Sequence, residues 1–125
     1  MCAGTNFSFL KNLSPSELAE QYNSIDIIVS PTYYESFGCV LAEAGMCGTP
    51  VVSTKVGGVP ETVRNGGLLS DYGNWKKMKE NIEMLIDDTK LRKKLGRNAI
   101  NHTKLFRDDM VAEKVYKVYR KVLNS

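Results

Sequence analysis

The sequence predicts an α/β fold in which helices cover both faces of a parallel sheet. Residues 25–29 and 51–53 are apolar, β-branched runs that are too short for globular helices. A loop and a short apolar helix join them, and strands joined in this way are typical of parallel sheets that are buried on both sides. Ligands bind such sheets at the carboxyl ends of the strands, and residues 30–50 leave one of these ends. We therefore expect a functional site in this stretch.

Two elements are expected before the first buried strand. Residues 7–10 are a short strand candidate. A helix follows from residue 15 to residue 22 or 23, because Ser14 suits the N-cap and Pro15 the first helical position. Glu17 completes a capping box with Ser14. The strand that comes next is expected at residues 26–30.

After the central loop, the sequence predicts further alternation of helices and strands. The central helix begins near Phe37 or Gly38 and ends near Gly48, which suits the left-handed position after a last helical turn. The next elements are a strand at residues 51–54, a short helix from 60 to 63 or 64, a turn at 65–67 and a strand at 68–70.

The remaining residues are expected to be helical. Apolar residues recur at helical spacing around residues 78–86 and again around residues 91–99. A last helix begins near Asp108, whose charge suits the positive end of the helix dipole. We interpret its apolar stripe as a face that covers the core. That stripe consists of Met110, Val111, Val115, Val118, Tyr119 and Val122.

Length and composition indicate one modest core, so residues 1–125 are expected to form a single domain. Hydrophobic residues make up 42% of the chain and charged residues 25%, which is ordinary for a globular protein. No run is long and apolar enough to span a bilayer, and the N-terminus lacks the pattern of a secretory signal. We therefore expect a cytoplasmic protein.

The cysteines and the histidine give no sign of a disulfide or a metal site. Cys2, Cys39 and Cys47 are odd in number and fit no Cys-x-x-Cys pattern. The only histidine, His102, lies in a polar helical region, and we expect it at the surface rather than in a catalytic role. No metal site is expected.

The net charge of +3 is unevenly distributed, at −4 over residues 1–75 and +7 over residues 76–125. Such asymmetry can mark an anionic partner, but a solvated helical surface is the simpler interpretation. We expect no nucleic-acid partner. Peripheral contact of the last helix with a membrane is left open.

Two carboxylates make the central stretch unusual. Glu35 lies in the loop before the expected helix, and Glu43 lies among apolar residues inside it. A helix this apolar is expected to be buried on most sides, and a buried glutamate needs a partner. That partner is either a neighbouring protein group or a ligand with hydroxyls, such as a ribose. Glu35 alone would be a solvated loop charge, so the pair is the informative signal.

Glycines in two loops suggest close approach of a ligand to the backbone. Gly38 lies at the expected helix start, where free N–H groups and the helix dipole favour an anion. A phosphate there, with a carboxylate on each side, suits a sugar nucleotide. Gly57 and Gly58 follow a second strand end and allow a similar approach. Turn geometry alone is the competing explanation for all three glycines.

Three motifs occur together in residues 35–61. Glu35 and Glu43 are separated by seven residues, Gly-Thr-Pro-Val-Val follows at residues 48–52, and Gly-Gly-Val-Pro-Glu at residues 57–61. In this combination the sequence resembles the family 4 retaining glycosyltransferases of the GT-B fold. The resemblance covers about residues 7–70 closely and the helical tail loosely. It implies a Rossmann-like sheet that forms the later part of the C-terminal, nucleotide-sugar-binding domain.

The resemblance also implies a reaction used in carbohydrate biosynthesis. A sugar moves from a nucleotide-diphosphate donor to an acceptor with retained configuration, without a metal or another cofactor. Glu35 would be the catalytic residue that binds the donor sugar's hydroxyls, and Glu43 would bind the ribose. The diphosphate would contact the backbone between them, and the loop of Gly57 would border the cleft. The implied donor-binding set is Glu35, Ser36, Phe37, Gly38, Cys39, Val40, Glu43, Gly57 and Gly58.

The chain departs from the family pattern in its extent. The family has two Rossmann-like domains, and the resemblance includes neither the acceptor-binding domain nor the first two strands of the donor-binding domain. Residues 7–10 would then be a strand with unpaired edges, which is costly. We therefore expect them to pair directly with residues 25–30, or a partner chain to fill the gap. The expected partners are the donor, an unknown glycan, lipid or small-molecule acceptor, and an N-terminal acceptor domain or second chain.

Three functions are open at this point. The first is a glycosyltransferase domain or fragment. The second is a non-catalytic nucleotide-sugar-binding or regulatory subunit that a partner chain completes. The third is a glycoside hydrolase that uses Glu35 and Glu43 as its carboxyl pair, and it ranks last because a phosphate-binding turn has no use there.

Overall fold

The computed structural model describes residues 6–125, and Cys2 lies outside this range. Three strands alternate with the first four of six α-helices, and the last two helices follow with a 3₁₀ turn at Lys104–Phe106 between them. The strands are β1 (Ile28–Ser30), β2 (Val51–Thr54) and β3 (Gly67–Ser70). The helices are α1 (Pro15–Ser24), α2 (Cys39–Met46), α3 (Val59–Val63), α4 (Trp75–Asp87), α5 (Thr89–Thr103) and α6 (Asp108–Leu123).

The sheet is parallel, and β2 lies between β1 and β3. Every residue of β2 is buried, as expected for a central strand that is covered on both sides. Since the strands are parallel, their carboxyl ends share one edge. This edge carries the three loops that follow the strands, at residues 31–38, 55–58 and 71–74.

Helices cover both faces of the sheet, which confirms the predicted fold class. Val51 and Val52 are consecutive in β2, so their side chains point to opposite faces. The cluster on the first face consists of Leu41, Val51, Val59 and Val63, so α2 and α3 cover it. The cluster on the second face consists of Val52, Met78, Leu85 and Leu95, from β2, α4 and α5.

Local signals located the start of α1 and the two ends of α2. The Ser14 side chain accepts a bond from the N–H of Glu17, whose carboxylate accepts one from the N–H of Ser14 at 2.7 Å, so the predicted capping box is confirmed. α2 begins directly after Gly38. Gly48 follows its C-cap with φ +79°, as predicted for a left-handed position.

The predicted strand at residues 7–10 is wrong. This segment has no regular secondary structure and is exposed, with Phe9 at 90% exposure. Within residues 6–125 no strand pairs with the outer edge of β1, so direct pairing there is also wrong. A strand needs a neighbour to satisfy its backbone N–H and C=O groups, and residues 7–10 have no such neighbour within residues 6–125. Pairing with a second chain stays a prediction.

The surface position predicted for His102 is wrong, because its side chain is only 9% exposed. Its Nε2 lies 2.8 Å from the carbonyl oxygen of Glu61, and its ring packs edge-on against Phe106. His102 lies seven residues after Leu95 and three after Ala99, which places it on the buried face of α5. This spacing is the sequence signal that the polar neighbours of His102 obscured.

The core-covering role predicted for α6 is also wrong. None of its residues is buried, and Val115 and Val118 are 48% and 63% exposed. The reason is geometric, since α2 to α5 already cover the two sheet faces and α6 packs on the 3₁₀ turn before it. Throughout residues 6–125, no helix combines the length and the apolar character needed to cross a bilayer.

Candidate functional site

Two loops at the carboxyl edge of the sheet are in direct backbone contact. The N–H of Gly58 donates to the carbonyl of Glu35 at 3.1 Å, and the hydroxyl of Thr62 donates to the carbonyl of Phe37. A Cβ at Gly57 would lie 1.8 Å from the Glu35 oxygen. The glycines of the second loop are therefore required by contact between two protein backbones, a reason that the sequence did not reveal. Ligand contact at this loop stays a prediction.

The tip of α2 presents backbone donors. Gly38 is the N-cap, has φ +89° and supplies no side-chain cap. The first helical bond runs from the N–H of Ala42 to the carbonyl of Gly38 at 3.0 Å. The amides of residues 39–41 therefore precede the intrahelical ladder, as at every helix start. Together with the helix dipole they favour an anion, and Cys39 and Val40 beside them are exposed.

Glu43 lies on the outer side of α2. It is exposed, whereas Ala42 and Ala44 beside it are buried, so the expectation of a glutamate in an apolar interior is wrong. Its Oε2 accepts a hydrogen bond from the hydroxyl of Tyr22 at 3.0 Å. The sequence pointed to a backbone group, a basic side chain or a ligand as the partner of Glu43. It missed Tyr22, because the two residues are 21 positions apart on different helices.

Glu43 borders two cavities that lie on either side of α2. One is about 260 Å³, lies between α1 and α2, and is also lined by Tyr22. The other is about 310 Å³ and is also lined by Phe37 and Cys39. Glu35 lines neither cavity; it is half-buried in the loop before Gly38. The structure thus places Glu43 in a cavity with Phe37 and Cys39, whereas the side chain of Glu35 lies against Gly38, with its Cγ 3.5 Å from where an added Cβ would be.

Aromatic rings link the first loop to the third. Tyr33 packs edge-on against Tyr72 with ring centroids 5.1 Å apart, and Tyr72 packs edge-on against Trp75 at 5.4 Å. Such pairs stabilise beyond their buried area. The backbone of the first loop (residues 31–38) thus contacts the second loop, and its Tyr33 side chain packs against Tyr72 of the third loop.

Metal ligands do not cluster near these loops. No group of three or more His, Cys, Asp or Glu side chains in residues 6–125 is arranged to hold a metal ion. Chemistry without a metal stays a prediction.

Burial raises the pKa of Tyr22 to about 12, and the hydrogen bond and charge of Glu43 add to the effect. The unfolded chain ionises this hydroxyl near its ordinary value of 10.0. A raised folded-state pKa gives stability that is complete below the unfolded value and is lost as the pH rises through the folded value. We therefore expect the free energy of unfolding to fall between about pH 10 and about pH 12, which urea unfolding at several pH values would measure. Tyr22→Phe should make this decline shallower, and equal slopes in the two proteins would contradict the assignment.

A family model described as glycosyl transferases group 1 matches residues 3–102. The chain belongs to this family. The D-inositol 3-phosphate glycosyltransferase of Corynebacterium diphtheriae is 39% identical over 113 residues, which are 89% of this chain and 26% of that relative. The chain thus spans about a quarter of the length of the curated relatives it matches.

Solved structures share the fold of this group 1 glycosyltransferase chain. Sucrose-phosphate synthase from Thermosynechococcus elongatus matches with a TM-score of 0.82 and 31% identity, over 94% of this chain and 30% of that one. Anabaena HepE, solved in complex with UDP, matches with a TM-score of 0.68 and 29% identity, over 82% of this chain and 29% of that one. The predicted relation to GT-B glycosyltransferases is confirmed.

Proposed function

We propose that residues 1–125 form a single donor-binding domain of a retaining, family 4 type glycosyltransferase, equivalent to the later part of its C-terminal domain. The observation that carries the proposal is the tip of α2. The amides of residues 39–41 lie outside the intrahelical ladder there; the Cγ of Glu35 would lie 3.5 Å from a Cβ added at Gly38, and Glu43 lines a cavity together with Phe37 and Cys39. Backbone N–H groups at a helix start suit a diphosphate, and carboxylates accept hydrogen bonds from hydroxyl groups.

Each part of the donor then has a counterpart on the chain. The carboxylate of Glu43 accepts hydrogen bonds from the ribose hydroxyls, and that of Glu35 accepts them from the transferred sugar. The stretch from Ser36 to Val40 contacts the diphosphate, and the loop of Gly57 and Gly58 borders the donor. Negative charge grows on the leaving phosphate during transfer, and amides already oriented towards it stabilise that charge most in the transition state. The proposal includes no metal and no other cofactor.

The acceptor side of the reaction is proposed to lie on other polypeptide, since the chain spans about a quarter of its relatives. That polypeptide is an N-terminal acceptor domain or a second chain, and the acceptor is a hydroxyl of a glycan, lipid or small molecule. The alternative is a nucleotide-sugar-binding or regulatory subunit without catalysis of its own, completed by a partner chain. Release of nucleotide from the donor by the 125-residue chain would favour catalysis, and binding without release would favour the subunit.

Substitution of Glu43 tests the proposed site. We expect the chain to bind one of UDP-, GDP- or ADP-glucose weakly, and Glu43→Ala to weaken that binding about tenfold, because it removes hydrogen bonds to a charged group. Titration followed by ¹H–¹⁵N NMR measures dissociation constants in this range. Glu83→Ala is the control, because Glu83 lies at the surface of α4, where it pairs with Lys79 at 3.5 Å.

Two outcomes would count against the proposal in different ways. If none of the three nucleotide sugars changes the spectrum of the wild type at millimolar concentration, donor binding by this chain is excluded. If the wild type binds and Glu43→Ala binds equally well, Glu43 does not belong to the site.

A further inference from the structure

The hydrogen bond between Tyr22 and Glu43 joins two helices at the edge of the candidate site. Tyr22 is 7% exposed and belongs to α1, whereas Glu43 lies on the exposed side of α2. The Tyr22 hydroxyl donates to Oε2 of Glu43 at 3.0 Å. We propose that Tyr22 is a positioning residue that orients the Glu43 carboxylate towards the hydroxyls of a bound ribose. The inference rests on the proposed function, because it assigns a task to Tyr22 within that site.

Tyr22 is itself held in place relative to α2. The hydroxyl of Thr49, a residue that is 2% exposed, donates to the carbonyl of Tyr22 at 2.6 Å. The N–H of Thr49 donates to the carbonyl of Ala44 at 3.0 Å. Through Thr49 the last turn of α1 is tied to the turn that ends α2. The Tyr22 hydroxyl therefore reaches Glu43 from a fixed position.

A fixed donor matters because Glu43 is exposed. A glutamate on a helix surface samples several rotamers, and binding a ligand through it costs the entropy of selecting one of them. A hydrogen bond that is present before the ligand arrives reduces this cost. An ionised carboxylate has about four acceptor sites, and Tyr22 occupies one of them. Oε1 and the second lone pair of Oε2 stay available for the two hydroxyls of a ribose.

The Tyr22 hydroxyl can act in this way over the whole physiological pH range. Its raised pKa, about 12, keeps it protonated and therefore a donor. Both residues line the cavity of about 260 Å³, and Glu43 also lines the cavity of about 310 Å³ beside Phe37 and Cys39 at the tip of α2.

The experiment has to distinguish the positioning role of Tyr22 from a purely structural role. The buried ring packs between α1 and α2 whether or not it carries a hydroxyl. Tyr22→Phe keeps the ring and removes only the donor, so it isolates the hydrogen bond. Tyr119→Phe is the matched control, since Tyr119 lies on α6 and is 66% exposed.

The test compares two ligands that differ only at the ribose. Wild type, Tyr22→Phe and Tyr119→Phe are titrated with the best-bound of UDP-, GDP- and ADP-glucose, and with its 2′,3′-dideoxyribose counterpart. We expect Tyr22→Phe to weaken binding of the natural ribose form about fivefold, as the loss of one hydrogen bond would. The dideoxy form should bind wild type and Tyr22→Phe equally. In a Glu43→Ala background, Tyr22→Phe should cause no further loss.

The outcomes distinguish failure of the positioning role of Tyr22 from failure of the proposed function. If wild type binds the natural form and Tyr22→Phe binds it equally well, the positioning role is refuted while donor binding stands. Equal weakening of both ribose forms by Tyr22→Phe also refutes it, because Tyr22 then acts on the fold and not on the ribose contact. If wild type binds none of the nucleotide sugars, the proposed function fails, and this inference fails with it.

Discussion

Gly57→Ala is expected to destabilise the protein by about 3 kcal/mol, the largest effect of a single methyl group that we predict at the candidate site. An added Cβ would lie 1.8 Å from the carbonyl oxygen of Glu35, which is backbone and cannot rotate away. In addition, Gly57 has φ +50°, and this region costs other L-residues roughly 1–2 kcal/mol. Urea unfolding monitored by circular dichroism measures the free energy of unfolding.

Two other glycines separate the steric cost from the conformational cost. Gly73 has φ +85° but nothing within 4 Å of its added Cβ. Gly58 has φ −82°, which any residue adopts, but its added Cβ would lie 2.0 Å from the carbonyl oxygen of Ser36. We expect Gly73→Ala to cost about 1 kcal/mol and Gly58→Ala about 2 kcal/mol. Equal costs for Gly57→Ala and Gly73→Ala would show that the two loops are not in contact.

The contact has a consequence for the proposed site. Relief of the clash at Gly57 requires the first loop to move away from the second, and the first loop carries Glu35 and leads into the tip of α2. We therefore expect Gly57→Ala to weaken nucleotide-sugar binding as well as the fold. Gly73→Ala, in the third loop, should leave binding nearly unchanged.

The elements that the sequence predicted well are those determined by neighbouring residues. Ser14 and Glu17 cap α1 within one turn, so their spacing is sufficient to locate the helix start. Gly38 and Gly48 mark the two ends of α2 because each adopts a positive φ that favours glycine. The buried strand β2 follows from its apolar run.

The predictions that were wrong concern features that depend on parts of the chain distant in sequence. Residues 7–10 have a strand-like pattern, but a strand forms only if another strand pairs with it. The stripe of α6 has helical periodicity, and the helix does form, but periodicity does not indicate whether a surface is left for it to cover. His102 is buried because α5 packs against α2 and α3, which its polar neighbours in sequence did not indicate.

In the candidate site, too, features set by nearby residues were predicted and contacts between distant segments were missed. The spacing of Glu35 and Glu43 was informative because it resembles a family motif, and the family membership is confirmed. The partner of Glu43 and the loop contact at Gly57 were missed, because both are tertiary contacts between segments about 20 residues apart. A pattern in one segment carries no information about which residue of another segment will approach it.

Gly96→Ala tests how the opposite end of α2 is held. An added Cβ on Gly96, in the middle of α5, would lie 2.2 Å from the carbonyl oxygen of Gly48, which follows α2. Alanine raises helix propensity by about 1 kcal/mol over glycine, whereas overpacking against a backbone atom costs up to about 3 kcal/mol. The steric term is the larger one, so we expect a net destabilisation of about 2 kcal/mol.

Gly45→Ala is the matched control for that substitution. Gly45 is also a buried helical glycine, but the nearest atom to its added Cβ would be the methyl group of Thr103, at 3.0 Å, followed by the methyl group of Ala99 at 3.5 Å. A side-chain methyl can shift by a few tenths of an ångström, so the gain in propensity should offset most of the cost, and we expect a change within about 1 kcal/mol. If Gly96→Ala is as stable as Gly45→Ala in urea unfolding, α5 does not lie directly against the end of α2. If the expected difference is found, backbone contacts fix α2 at both ends, with the loop of Gly57 near its tip and α5 at its end. The backbone N–H groups of residues 39–41 and the Glu43 side chain are then held on a rigid element.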